Sequence, residues 1–413
     1  MSALTWTSVP ALALLGLAAG ETGGGETTPA AAPAPKVLQI KAREVWTGAG
    51  QKLENALIVI ADGRIRSVGS AKDFDPRQPF IEHDGIVTAG MVACASQMSA
   101  GALQDDTRSV MPAARASLAF EPSSVHYEDV LAAGVTALVL TPGPDNLVGG
   151  LTCVVKTAGG RVLAPEATLA LSLSADALGK STVASGFFFG AAEEGAIQPD
   201  GQAESTGRTG RGTREPTSYS GAVTMLRELF ARGQGAFGRA KKGELAVTIE
   251  AWDRHEVLRA AALAKELGLG GAIRGAPLAG DPNVIAALRE AKLGVILGPY
   301  ATDQTRASLE SLMRLSAAQV PVGFAIDAPW RSGHDLRLTA ARALAAGASR
   351  DAAWRALTSD AAKLAGVGEA LGELAPGREA DLVLWSGDPL DLSSHVEAVY
   401  VDGARAWPAA GKH

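Results

Sequence analysis

Side chains that could do chemistry unaided are few in this 413-residue chain, and their spacing suits no familiar catalyst. There are two cysteines, Cys94 and Cys153, and six histidines. The cysteines form no CxxC and no zinc-knuckle pattern. Both sit in apolar, strand-like runs, so buried free thiols are expected, and such surroundings give Cys94 nothing to lower its pKa. His255 falls in the first turn of a helical segment, and His334 lies in the loop "RSGHDL". His334 has the right intrinsic pKa for a base, but a lone loop histidine is most often a surface or capping residue. His83, His126, His395 and His413 lie in other segments, and no Ser-His-Asp or Cys-His constellation emerges. No GxGxxG follows a strand, and "PGPDNLVGG" (142–150) is a poor match to a phosphate-cradling loop, which argues against a nucleotide-dependent enzyme.

The elements that must position any site fall into two patterns. Residues 37–86 and 372–410 are β-like: "VLQIKAREVW" alternates, "ADLVLW" and "AVYVDGARAW" are strands, and Asp62-Gly63 and Asp402-Gly403 are hairpin turns. Residues 87–371 alternate apolar strands with amphipathic helices. "AGVTALVLTP" (133–142), "ELAVTIEAW" (244–252), "GAIRG" (271–275), "GVILGP" (294–299) and "VPVGFAIDAP" (320–329) read as strands. The segments 253–270, 282–294, 306–319 and 335–347 read as helices, the first opened by a capping box of Asp253 and Glu256 and closed at Gly268. Near-continuous apolar strands between helices argue a parallel sheet covered on its faces, and a run this long argues a closed (β/α)8 barrel. A doubly wound open sheet is the alternative. Residues 187–220 break the rhythm: they are polar, Gly-rich and aperiodic, and are expected to be either disordered or a lid over the barrel mouth.

Composition bounds the partners. The net charge is −6, with 38 basic and 44 acidic residues, so nothing attracts a polyanion and nucleic acid is excluded as a partner. The basic cluster "RTGRGTR" (208–214) is diluted by Gly and Thr and reads as a solvated loop. Residues 1–36 combine an apolar segment, "ALALLGLAAG" (11–20), with a Gly/Thr/Pro/Ala-rich linker. That pairing points to a signal segment and an exported protein. No Lys or Arg precedes Lys36, which keeps a cytoplasmic location open. The apolar run is too short for an integral membrane span.

The two β-like ends carry a resemblance. "GELAPGREADLVLWSGDPLDLSSHVEAVYVDGARAW" (372–407) and "VLQIKAREVWTGAGQKLENALIVIADGRIRSVG" (37–69) resemble the ends of amidohydrolase-superfamily enzymes, in the imidazolonepropionase-related branch. "AGVTALVLTPGPDNLVGGLTCVVKTAG" (133–159), "LGPY" (297–300) and "IDAPWRSGHDLRL" (326–338) add to it. The resemblance implies a (β/α)8 barrel with a small composite β-sandwich built from both chain ends. It also implies hydrolysis of C–N bonds with one or two divalent metals at the C-terminal ends of the barrel strands. The ligands would be a His-x-His pair on the first strand, a Lys or Glu mid-barrel, single histidines on the fifth and sixth strands, and an Asp on the eighth.

This sequence departs from that set. The His-x-His positions fall on Ala95 and Gln97, the fifth-strand histidine on Glu250 and the sixth-strand histidine on Arg274. Only the eighth-strand aspartate persists, as Asp327; Lys156 and Lys180 are loose candidates for the mid-barrel position. Arg274 stays charged and has no lone pair to give. The expectation is therefore a degenerate pocket in which Arg274 bridges Glu250 and Asp327 in place of a metal. No cofactor is then expected where the family would use zinc or another divalent ion, and hydrolysis would be lost. The role left is binding a small molecule, or scaffolding as a homo- or hetero-oligomer with a related, active amidohydrolase. The alternative is a working hydrolase on a cyclic amide, dipeptide or similar C–N bond, with a remodelled site and Asp327 as its base.

Overall fold

A computed structural model describes residues 37–48, 50–98, 103, 105, 108–179, 214–300, 304–326 and 328–408. The N-terminal segment 1–36, Lys180, most of the 187–220 insertion and Asp327 lie outside the described residues. The strands in chain order are β1 (Val37–Trp46), β2 (Lys52–Ala61), β3 (Arg64–Ser70), β4 (Phe80–Ala89), β5 (Met91–Ser96), β6 (Val135–Leu140), β7 (Val148–Leu151), β8 (Cys153–Lys156) and β9 (Val162–Ala164). They continue with β10 (Thr168–Ser172), β11 (Ala246–Ala251), β12 (Gly271–Gly275), β13 (Leu293–Leu297), β14 (Val322–Phe324), β15 (Leu382–Trp385), β16 (Val396–Val401) and β17 (Ala404–Trp407).

Both chain ends build one seven-stranded sheet, ordered β17-β16-β15-β4-β1-β2-β3. The join is antiparallel pairing of β15 with β4, Leu382 opposite Ala89 and Leu384 opposite Val87. Ile65 on β3 and Tyr400 on β16 share one core with Ile40, Ile58, Val87 and Leu382, so the sheet folds over on itself. The two Asp-Gly turns bring its far edges together. Asp62 and Asp402 both have φ of 51°, with Gly63 at 77° and Gly403 at 74°, the positive values that the two-residue hairpin turn requires. Ala380 donates to the Gly63 carbonyl at 2.9 Å, and Gly403 donates to the Ala380 carbonyl at 2.9 Å.

The barrel has eight strand positions. β5 pairs parallel with β6, and β10, β11, β12, β13 and β14 run parallel in succession. A parallel bridge between Ser96 and Ile326 closes the ring. The third position departs from a regular (β/α)8 barrel. It is filled by β7 and β8, separated only by Thr152; β8 runs antiparallel to β6 and β7 antiparallel to β10. The reason is visible in the chain. The connection from β6 to β7 spans only residues 141–147, whereas a parallel crossover needs about a dozen residues or more. A hairpin is the geometry left. The hydroxyls of Thr152, Thr168 and Thr248 then tie the reversed strand to β10 and β11 inside the ring, at 2.8 and 2.9 Å.

Alternation along the strands sorts the residues. Val247, Ile249, Ile273, Val295 and Leu297 face the covering helices, where Leu226, Phe230, Val257, Leu288 and Leu312 complete one large core. Val92, Cys94, Ala95, Val139, Val154, Ala272 and Ile296 form a separate inner cluster with Ala361 and Ala362 of the helix Ser359–Leu364. That helix stoppers the N-terminal end of the ring. Gly294 and Gly323 make space for it: an added Cβ would lie 2.4 Å from the Leu364 side chain at the first and 2.2 Å from Cys94 Sγ at the second. Gly323→Ala should therefore lower stability by about 1–3 kcal/mol through overpacking, with Cys94→Ala in the same chain recovering much of it. Urea denaturation of the two variants is the check; an unchanged midpoint for Gly323→Ala would show that the inner layer is looser than this geometry.

The helix Arg254–Leu267 matches its sequence signals. Asp253 accepts from the Glu256 amide, Glu256 accepts from the Asp253 amide, and Gly268 ends the helix at φ 68°. The helix Tyr219–Arg232 starts inside the segment expected to be an irregular insertion to residue 220, because Ser218 caps it by accepting from Gly221 at 3.1 Å. Among the described residues no helix is long and apolar enough to cross a membrane.

Candidate functional site at the barrel mouth

Backbone register puts Ser172, Glu250, Arg274, Ile296 and Gly323 in one row across β10 to β14. Glu250 shares the inward parity of Thr248, and Arg274 that of Ala272. Both charged side chains therefore point into the ring near the C-terminal ends of their strands, where sites of this architecture form. They meet: Arg274 Nη1 donates to Glu250 Oε2 at 2.8 Å, with side chains 6% and 5% exposed. The other Glu250 oxygen accepts the Trp252 indole N–H at 3.0 Å. Burial pushes the Glu250 carboxyl up from its ordinary value, Arg274 and then Trp252 pull it back, and Asp176 and Asp145 push it further. The cavity beside Glu250, lined by Thr141, Asn146, Gly149, Ala170 and Thr248 among others, measures about 10 Å³, room for roughly one water.

The other expected positions come out as follows. Ala95 is fully buried, and its carbonyl accepts from Ile326 at 2.9 Å, closing the ring. Gln97 follows β5 and is half-buried. The expected three-way bridge is half described: Glu250 and Arg274 are joined, while Asp327 lies outside the described residues. The fourth barrel strand, β10, reads Thr-Leu-Ala-Leu-Ser and holds neither Lys nor Glu, so Ser172 stands level with Glu250. His255, His334, His126 and His395 are exposed, and His83 is buried in the end sheet against the Trp385 carbonyl at 3.0 Å. Cys94 and Cys153 are free and buried; burial pushes both thiols up, Cys153 to about 12, so neither is a nucleophile at neutral pH.

Lys156 is not a mid-barrel ligand. It sits opposite Ala137 towards the N-terminal end of β6, and its ammonium is fully buried. It lies 2.7 Å from Glu379, 2.7 Å from Asp381 and 3.4 Å from Asp402, one carboxylate for each of its three donors. Arg161 joins the same group through Glu379 and Asp402. These three carboxylates lie close enough together to hold a cation, and Lys156 is that cation. Sequence reasoning missed the cluster because its members are scattered over nearly 250 positions; the one signal was a lysine ending an otherwise apolar strand.

Comparisons with known proteins agree with the architecture. The model of the Amidohydrolase family matches residues 240–406. No curated protein matches the chain. An amidohydrolase from Thermotoga maritima MSB8 superposes with a TM-score of 0.74 at 21% identity, covering 90% of this chain and 99% of that one. A putative prolidase from Bifidobacterium longum gives 0.56 at 17% identity, covering 92% and 96%. The A. niger ochratoxinase gives 0.55 at 17% identity, covering 90% and 95%. At these identities the structures bear on fold alone. The chain shares the fold of these amidohydrolase structures, a barrel with a β-sandwich built from both chain ends, and its C-terminal part matches the Amidohydrolase family model.

The resemblance to amidohydrolases implies a divalent metal at the mouth, and the described residues there do not fit one. A catalytic site needs about three lone-pair donors and an open position. Ala95 offers none, Arg274 is a fixed cation, and Glu250 is already engaged on both oxygens. At an effective dielectric of about 20, a guanidinium 4 Å from a divalent ion would repel it by roughly 8 kcal/mol.

Proposed function

We propose that this protein keeps the amidohydrolase scaffold, carries the Glu250–Arg274 ion pair in place of a metal centre, and works by binding rather than by metal-dependent hydrolysis. The supporting observation is the buried guanidinium of Arg274, 2.8 Å from Glu250 inside the ring. A cation fixed at this point offsets the buried carboxylate that a metal would otherwise neutralise. The pocket then serves as a receptor for a small molecule, or the barrel serves as a subunit beside an active relative.

Elemental mass spectrometry on untagged protein incubated with Zn²⁺, Mn²⁺ and Mg²⁺ tests this, together with a screen against cyclic amides and dipeptides. The expected result is far less than one metal per chain and no turnover. Stoichiometric metal that disappears with Asp327→Ala, accompanied by hydrolysis, would instead make the chain a working hydrolase with a remodelled site.

A further inference from the structure

Arg274 is under-used for a buried guanidinium. It carries five N–H donors. Among the described residues its hydrogen bonding ends at Glu250, through Nη1 alone, although the side chain is 6% exposed. Trp252 explains the single contact. By donating to Glu250 Oε1 it takes the second oxygen away from the guanidinium, so the usual two-point fork between Arg and carboxylate does not form. The remaining Arg274 nitrogens are not among the fully enclosed, unpartnered side-chain atoms of the described residues, so they keep access to solvent and can take an oxyanion.

Trp252 supplies a second, independent observation. It is 43% exposed, unusual for a tryptophan, and it lies over the ends of the strands that flank the site. A Cβ on Gly275 would lie 3.2 Å from its ring, and one on Gly298 would lie 4.0 Å from the ring's far edge. The indole thus roofs the row that contains Arg274 while leaving surface open to the mouth. The cavity of about 10 Å³ beside Glu250 has no space for a ligand body, and the exposed face of Trp252 is apolar surface beside the pair.

We propose that the barrel mouth binds a small carboxylate carrying an apolar group, its carboxylate on the unused donors of Arg274 and its apolar body on Trp252. This rests on the metal-free reading above. Two sources carry that chemistry, simple organic acids and zwitterionic amino acids.

Calorimetric titration of the full chain with phenylacetate, L-phenylalanine and neutral phenylacetamide tests it, with metal content measured on the same preparation. Both carboxylates should saturate, their relative affinities distinguishing the two sources, and phenylacetamide should bind roughly ten- to a hundredfold more weakly for want of a charge-assisted bond. Arg274→Met combined with Glu250→Gln removes the pair without stranding a charge, and should abolish the preference for carboxylate over amide. Trp252→Ala should weaken all three probes while keeping their order. Carboxylates binding no better than the amide, or the double variant binding like the parent, would overturn the inference. That outcome in a metal-free preparation leaves the metal-free reading standing; retained metal removes that reading itself.

Discussion

Lys156→Met should lower the stability of the protein by about 3–5 kcal/mol at neutral pH, among the largest losses available to a single substitution here. The ammonium is fully buried and stands between Glu379 and Asp381, each 2.7 Å away and each 5% exposed or less. Methionine keeps the volume and removes the charge. Arg161 continues to serve Glu379 and Asp402, but Asp381 is left inside without a cation. The loss is pH-dependent in a definite direction. Burial already pushes Asp381 above its ordinary value. A carboxyl raised in the folded state keeps its stability below the unfolded pKa and loses it as pH rises through the folded one. The deficit of Lys156→Met relative to the parent should therefore be greatest at neutral pH and should narrow as pH falls into the carboxylate range. Glu379 runs the other way. Burial opposes its charge, yet Arg161 and Lys156 hold it below its ordinary value, so its contribution is present at neutral pH and lost only on acidification. Urea denaturation from neutral to acidic pH checks both. Adding Asp381→Asn to Lys156→Met should recover much of the loss, since the amide oxygen can still accept from the Asp402 backbone at 3.0 Å. A deficit that ignores pH would mean that Asp381 is not the group left stranded.

Arg274→Met is expected to cost a comparable 3–5 kcal/mol or so, for the same reason at the other end of the barrel. Among the described residues it leaves Glu250 buried with the Trp252 indole as its one side-chain partner. Burial pushes the Glu250 carboxyl up, so the variant relieves itself by taking a proton, and the loss should shrink at acidic pH and grow with rising pH. The companion Arg274→Met with Glu250→Gln separates two explanations of the pair. If the two residues matter to each other as charges, the double variant is close to the parent in stability. If Arg274 is needed for its shape in the row between Glu250 and Ile296, the double variant stays as weak as the single one. Thermal unfolding of the three proteins decides between them.

Much of the fold was legible because the signals were local. The Asp-Gly turns at 62–63 and 402–403 state their own backbone angles, and both adopt them. Asp253, Glu256 and Gly268 fix the ends of one helix from within its own segment. The Glu250–Arg274 pair was legible for a different reason. Two charged residues at matching depths on strands adjacent in sequence must fall side by side once those strands pair in parallel. The reversed strand at the third barrel position was readable in principle, from a connection of residues 141–147 too short for a crossover. The regular strand-helix rhythm elsewhere masked it.

Glu256 marks the boundary between the two kinds of information. Its capping role is written in the sequence. Its other bonds are not: it accepts from the Ala175 amide at 2.9 Å and from the Tyr219 hydroxyl, fixing two distant segments to one helix. The sequence by itself determined the element types, the turn geometries and the presence of Glu250 and Arg274 near the ends of neighbouring strands, because these depend on residue identity and on neighbours within a few positions. Only the tertiary structure decided that Lys156 would neutralise carboxylates from residues 379–402, and that Trp252 would claim one oxygen of Glu250. Those outcomes depend on which surfaces the folded chain brings together, and no periodicity along the sequence encodes a distance across the core.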